Sequence, residues 1–262
     1  MPRDVAIVGG GASGLSAAVF VARYGLDTVV LDGGVSAIRQ CVHLENFLGF
    51  PGGISPDTFL ELGREQATLE GCTVRDSMVL DVERTDDGFR IDAQGEEEPV
   101  EATRVIAASL YDDNYLSDFE DELTDVDRDG RTPVEGLYMT GCLGDESEHQ
   151  AIVNAGDGAR TALSLIRDVR REDEELWDGI ADHYYDWTVQ PGRYSGPKWE
   201  ESMDSLVAES APEDATDAEL ADLKERLKRE YRSLELDEEE RAARAERGRE
   251  LLRTHLLEEK SR

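Results

Sequence analysis

Cysteine is scarce in this chain, with only Cys41, Cys72 and Cys142 among 262 residues, and no two of them form a CxxC or stand at metal-ligand spacing. That excludes a disulfide scaffold and fits a reducing compartment. Long apolar runs are absent as well. No stretch reaches the ~18 consecutive apolar residues of a membrane span, and MPRDVAIVGGG enters a strand without a charged leader, which predicts a cytoplasmic protein. Lysine is confined to Lys198, Lys224, Lys228 and Lys260. Against 28 basic residues stand 60 acidic ones, a net charge of -32 spread along the whole chain. Such a field opposes nucleic acid and anionic membranes. Because screening lengths fall to about 3 Å in 1 M salt, the charge reads as adaptation to a salt-rich, halophilic cytosol; a surface made for a basic partner is the alternative.

The length suits one main core with an appendage. Residues 4–8, DVAIV, form a short buried-strand pattern. GGGASG follows, then the apolar-periodic LSAAVFVARYG, which ends at Gly25, and a second strand, TVVLD, at 28–32. This βαβ opening of about 30 residues has the size of a dinucleotide-binding unit. A helix is expected from Ser55 or Pro56 to about Glu70, with Ser55 as cap and Pro56 at the first helical position. Residues 73–102 read as an antiparallel meander broken by TDDG and QGEEE. RVIAAS at 104–109 and LYMTG at 137–141 read as strands, and His149 to about Val169 as a long helix. Beyond residue 170 polar helical sequence dominates, with aromatics at Trp177, Tyr184, Tyr185, Trp187, Tyr194 and Trp199, and leucines at Leu220, Leu223 and Leu227. The expected organisation is a domain over 1–170 and a helical C-terminal extension over 171–262.

Gly9, Gly11 and Gly14 form GxGxxG directly after a strand and at the start of a helix. Gly9 permits the tight turn, Gly11 lets the backbone approach a pyrophosphate, and Gly14 allows helix and strand to pack closely. The helix N-terminus offers free N–H groups to the anion. Asp32, ending the second strand, is placed to accept bonds from a ribose diol. The bland alternative is a glycine-rich turn kept for packing alone.

Two further runs carry a family resemblance. LENFLGFPGGISPDTFLELGREQA, at 44–67, is similar to the segment after the first βαβ unit of thioredoxin reductases. VEGLYMTGCLGDESEHQAIVNAGDGARTAL, at 134–163, resembles that family's closing flavin motif, with matching spacing from Gly141-Cys142 to Gln150-Ala151. The resemblance covers about residues 3–168. It implies an α/β fold with a Rossmann-like parallel sheet of the FAD/NAD(P)-binding type, a small antiparallel meander and an α-helical C-terminal extension, and it implies FAD as cofactor. Position by position it implies that Gly9, Gly11, Ala12, Ser13 and Gly14 hold the pyrophosphate and Asp32 the adenosine ribose. Gln40 and Asn46 lie along the flavin, Met78 near the adenine, and Gln150 and Ala151 at the pyrimidine edge, where a helix N-terminus stabilises the charge of a reduced flavin.

Three departures follow. The family's NADPH domain has no counterpart between RVIAAS and LYMTG, where only residues 110–136 stand. The redox CxxC carried by that domain is missing. Cys142 replaces an acidic residue on the ribityl chain, and Ala108-Ser109 replaces Thr-Gly. A lost carboxylate there weakens one charge-assisted hydrogen bond, about 1.5–3 kcal/mol.

No catalytic residue is evident; the candidates are Cys41, Cys142 and His149. Cys41 and Cys142 are either a redox pair, or one thiolate against the flavin, or small space-filling residues. Cys72 is read as structural. His149, where the family often carries Arg, is either a flavin-side proton donor or an ordinary capping or surface histidine. The extension's aromatics either cover the flavin, fasten the extension to the domain, or form a homodimer contact. The expected function is a compact FAD-binding flavoprotein oxidoreductase served by a small-molecule substrate or a protein electron donor. A non-catalytic FAD-binding regulatory or interaction protein is the alternative, and NAD in the same cleft a third reading.

Overall fold

In the computed structural model residues 2–110, 113–144 and 148–257 are described. The chain divides into two compact units, Met1–Ile166 and Arg167–Arg262.

The first unit is built on one seven-stranded sheet. Its strands are β1 (Arg3–Val8), β2 (Thr28–Asp32), β3 (Thr73–Asp76), β4 (Met78–Thr85), β5 (Gly88–Gln94), β6 (Val100–Ala107) and β7 (Leu137–Met139). Neighbours run in the order β3-β2-β1-β6-β5-β4, with β7 also pairing β6. The β1–β2, β1–β6, β2–β3 and β6–β7 pairs are parallel. Val5, Ala6 and Ile7 of β1 and all of β2 are buried, as central parallel strands covered on both faces require. β4 and β5 pair antiparallel and alternate instead, sending Val79, Val82, Phe89 and Ile91 inward.

Two expectations need correction here. Residues 73–76 do not join the meander; β3 pairs in parallel with β2, from Val29↔Thr73 to Asp32↔Asp76. Nor do residues 100–102 and 104–107 belong to separate strands. They form the single strand β6, whose first part pairs with β5 and whose remainder pairs with β1 and β7. Strand propensity marks both segments as extended but carries no information about partners, which burial on the sheet selects.

Helix α1 (Ala12–Tyr24) ends where the sequence predicts, at Gly25 in left-handed conformation, with N–H groups of Gly25 and Leu26 returning to Ala22 and Val21. Helix α2 (Pro56–Leu69) starts on Ser55, whose hydroxyl accepts from Thr58 N–H at 3.1 Å, with Pro56 at its first position; such a cap contributes about 1 kcal/mol. Helix α3 (Ala151–Glu172) is the long helix expected near the second motif.

The second unit has a core of its own, where chain length predicts one main core with an appendage. It contains α4 (Asp178–Asp182), α5 (Pro197–Ser210), α6 (Asp217–Ser233) and α7 (Glu238–Leu257). Met203 and Val207 of α5 meet Leu223, Leu227 and Tyr231 of α6, joined by Leu176, Ile180 and Tyr194. Tyr194, Trp199 and Tyr231 pack ring against ring within this unit, with centroids 4.9–6.2 Å apart. Arg170, 1% exposed, is paired with Glu230 at 2.7 Å and lies over the Tyr184 ring. α7 is polar over its first half, carries the exposed Leu252 and Leu256 in its second, and is laced by pairs such as Arg241–Glu238 and Arg244–Glu240. Among the described residues no helix is long and apolar enough to cross a membrane.

Candidate functional site

The βαβ opening determines the first wall of the site. Gly9 N–H donates to Leu31 O at 2.9 Å, and its φ of +115° is one that L side chains rarely adopt. A side chain there would also stand 2.6 Å from Ala108 O. Gly14 lies directly on the turn, since a Cβ at this position would meet Gly9 O at 2.0 Å. Gly11 is the N-cap of α1 and, having no side chain, cannot cap the first turn itself; the amides of such a turn are the usual place for an anion.

Across from this turn, the loop ahead of α2 is held by the two-way backbone pairing of Leu44 with Ile54 and by the rings of Phe47, Phe50 and Phe59, the closest pair 4.7 Å apart. A third wall is the start of α3. Asn46 Nδ2 donates to Gln150 Oε1 at 2.8 Å, joining second and third walls. The residues just after β6, Ala108 to Leu110, complete the lining. Together these segments enclose a cavity of about 400 Å³.

Of the residues named from sequence, Gly9, Gly11, Ala12, Ser13, Cys41, Asn46, Cys142, His149, Gln150 and Ala151 line this one cavity. Gly14 stands just behind it as packing. Gly141, at the end of β7, has φ +64°, and a Cβ on it would lie 2.7 Å from Ser13 Oγ. Asp32, Gln40 and Met78 are outside the lining. Gln40 is exposed at the end of the 3-10 turn Ala37–Gln40. Met78 opens β4 with its sulfur against Gly33, beside Asp32. Asp32 is buried; its carboxylate accepts from Gly34 N–H at 2.9 Å and from Arg64 at 2.6 Å, and Arg64 reaches on to Asp76 at 2.6 Å.

Cys142 Sγ and His149 Nδ1 are 3.8 Å apart on the cavity wall. His43 Nε2 donates to Gly52 O at 2.9 Å. Cys72 is remote, buried beside β3, and burial pushes its thiol up to about 11 against the opposing hydrogen bond with Val30 and the charge of Arg3.

Four contributors escaped the sequence reading. Gly10 admits the Asp32 carboxylate, which a Cβ would meet at 2.3 Å; the triple glycine was its only signal. Arg64 bridges Asp32 and Asp76 from α2, and nothing in sequence ties positions 32 apart on different elements. Asp157 is buried and accepts from Gly141 N–H at 2.6 Å and Thr140 Oγ1 at 2.9 Å while pairing with Arg160, which holds the end of β7 in place. Asn154 lines the cavity one helical turn past Gln150, on the same face, a spacing that was available to find it.

Residues 3–110 match the pyridine nucleotide-disulphide oxidoreductase family. Over 88 residues the chain is 34% identical to the thioredoxin reductase of Streptomyces clavuligerus, covering 32% of this chain and 27% of that one. Over 116 residues it is 28% identical to thioredoxin reductase 1 of Saccharomyces cerevisiae, covering 41% and 36%. The chain thus spans about a third of the length of these relatives. Among solved structures, the thioredoxin reductase of Gloeobacter violaceus shares its fold with TM-score 0.55 at 18% identity, covering 64% of this chain and 96% of that one. The atypical thioredoxin reductase of Desulfovibrio vulgaris Hildenborough does so with TM-score 0.56 at 18% identity, covering 65% and 99%. Residues 3–110 are thus similar to the pyridine nucleotide-disulphide oxidoreductase family, and about two thirds of the chain shares the fold of thioredoxin reductases.

Proposed function

We propose that this chain binds FAD in the cavity at the Gly-rich turn and works as a compact flavoprotein oxidoreductase. The observation that carries the reading is the convergence of the α1 N-terminus, the Asn46–Gln150 bridge and the start of α3 on one cavity. The residues fit the group. Gly11, with only Ser36 Oγ within 4 Å of its Cβ position, leaves the main chain at the α1 N-terminus bare on the cavity lining.

In this reading the amides of Gly11, Ala12 and Ser13 hold the pyrophosphate, Gly14 packs behind them, and Asp32, oriented by Arg64, accepts from the adenosine ribose. Met78 flanks the adenine. Gln40 and Asn46 lie along the flavin, Gly141 and Cys142 meet the ribityl chain, and Gln150 and Ala151 bring the positive end of α3 to the pyrimidine edge. FAD supplies electron exchange without a protein nucleophile. Cys41, Cys142 and His149 border the same space, where a thiol and an imidazole can hold or pass a proton.

The connection between β6 and β7 is residues 108–136, without a second Gly-rich motif, and the chain has no CxxC. On this ground electrons come from a protein donor or a small-molecule substrate instead of a nicotinamide domain inserted at that point. The same short connection supports the second reading, a non-catalytic FAD-binding regulatory or interaction protein.

The deciding experiment is the absorption spectrum of the purified chain in molar salt, before and after anaerobic NADH, NADPH and dithionite. Flavin bands that bleach with a nicotinamide or a candidate donor support the oxidoreductase. Bands that bleach with dithionite alone support the non-catalytic reading. A colourless protein that takes up no added FAD overturns both.

A further inference from the structure

One wall of the cavity holds a thiol beside an imidazole. Cys142 Sγ and His149 Nδ1 are 3.8 Å apart, a hydrogen-bonding separation for sulfur, and both residues line the cavity of about 400 Å³. Both partners stand on fixed elements. Cys142 belongs to the 3-10 turn Gly141–Leu143 that follows β7, and Asp157 pins that turn by accepting from Gly141 N–H at 2.6 Å and Thr140 Oγ1 at 2.9 Å. His149 is two residues ahead of α3, where Gln150 O accepts from Asn154 N–H at 2.9 Å. The first turn of α3 brings partial positive charge to the same wall.

The chemistry of the pair follows from its two halves. The thiolate, not the thiol, is the nucleophile at sulfur, and an imidazole nitrogen at this distance takes the proton that must leave. Cys142 is half-buried and His149 exposed, so a small reagent in the cavity reaches the pair. The other thiols are placed differently: Cys41 is exposed on the same cavity, and Cys72 is buried with its Sγ 3.5 Å from Thr73 O. Glu45 also lines the cavity and the chain carries a net charge of -32, so a neutral or cationic reagent enters more readily than an anionic one.

We propose that Cys142 is a thiolation site: with His149 as proton acceptor it exchanges with a small neutral or cationic disulfide, and the mixed disulfide closes the cavity to the cofactor. In the step, the Cys142 sulfur attacks one sulfur of RS–SR. The Cys142–SR bond forms as the S–S bond breaks, and the departing thiolate collects the proton held on His149 and leaves as RSH. The small disulfide is the oxidant and is itself half reduced, half retained on the chain. The closure rests on the FAD reading above, in which Gly141 and Cys142 meet the ribityl chain, so that an SR group on Cys142 and FAD compete for the same space.

The test treats the apo-chain with cystamine at neutral pH and follows each thiol by peptide mass mapping in the native chain, His149→Ala and Cys142→Ser. Cys142 is expected to form the mixed disulfide about tenfold faster in the native chain than in His149→Ala. The rate at Cys41 is the same in both, and added imidazole restores the rate at Cys142 in the variant. Equal rates at Cys142 in the two chains, or a loss that imidazole does not restore, overturn the pair. Should His149→Ala fail to fold, His149→Gln replaces it, read against the same Cys41 rate. The native chain thiolated at Cys142 is expected to take up no FAD until dithiothreitol removes the group, whereas cystamine leaves the FAD affinity of Cys142→Ser at that variant's own untreated value. Undiminished uptake by the thiolated native chain, or a loss in treated Cys142→Ser, overturns the closure. An untreated native chain that takes up no FAD overturns the FAD reading and the closure together, and the rates at Cys142 still decide the thiolation site.

Discussion

Gly158 of α3 lies against the main chain of Ser13 in α1: a methyl group at position 158 would come within 2.0 Å of Ser13 O and 2.7 Å of its carbonyl carbon. The two helices whose N-terminal turns border the cavity are therefore in backbone contact, which no side chain at 158 can preserve.

Gly158→Ala is expected to destabilise the first unit by about 1–3 kcal/mol, the cost of overpacking a close contact, and to weaken FAD uptake because Ser13 shifts with α1. Gly156, two residues earlier on the same helix, has nothing within 4 Å of its Cβ position. Gly156→Ala is expected to stabilise by about 0.5–1 kcal/mol through helix propensity. Thermal unfolding of the two variants followed by circular dichroism checks the opposite signs; equal effects contradict the contact.

The three thiols are expected to react in order of exposure. Cys41 is exposed, Cys142 half-buried on the cavity wall, and Cys72 buried with its thiol pushed up to about 11 by burial. Iodoacetamide at pH 8, followed by peptide mapping, labels Cys41 and Cys142 in the native chain and Cys72 only after unfolding. Added FAD slows labelling of the first two. Labelling of Cys72 at the rate of Cys41 contradicts its placement beside β3.

Helix α6 starts in a capping box that gives the second unit an acid limb. Glu219 accepts from Thr216 N–H and Oγ1, both at 2.7 Å, and returns its own N–H to Thr216 Oγ1 at 3.3 Å. These bonds, the backbone one foremost, hold the Glu219 carboxyl below its ordinary value. A depressed folded-state value means a contribution fully present above the ordinary carboxylate range and lost as pH falls through the lowered value. Thr216→Ala is expected to cost about 1 kcal/mol at neutral pH, and Glu219→Gln to flatten the fall in stability on acidification. All three tryptophans, Trp177, Trp187 and Trp199, belong to Arg167–Arg262, so denaturant titrations followed by tryptophan fluorescence read this unit by itself. An acid limb unchanged in Glu219→Gln removes the box from the account.

Much of this protein is legible without coordinates because it is local chemistry. A left-handed glycine at 25, a serine cap with proline behind it at 55–56, and GxGxxG between an apolar strand and a helix each specify backbone conformation within a few residues. From these the βαβ opening, α2, α3 and about half of the cavity-lining residues could be named. What tertiary structure decided depends on contacts between positions far apart in the chain. β3 goes beside β2 and residues 100–107 make one strand because burial on a shared sheet selects partners that propensity does not. Trp177, Tyr194 and Trp199 join a second core because Leu223, Leu227 and Tyr231 give them a face to pack on, while Tyr185 and Trp187 stay exposed. The Arg64 bridge from Asp32 to Asp76, the Ser13–Gly158 contact and the orphan oxygen of Asn154 arise only when separate elements meet. Short-range torsional preference is written residue by residue, whereas which groups end up within hydrogen-bonding distance, and which buried atom is left without a partner, is set by the packing of the whole unit.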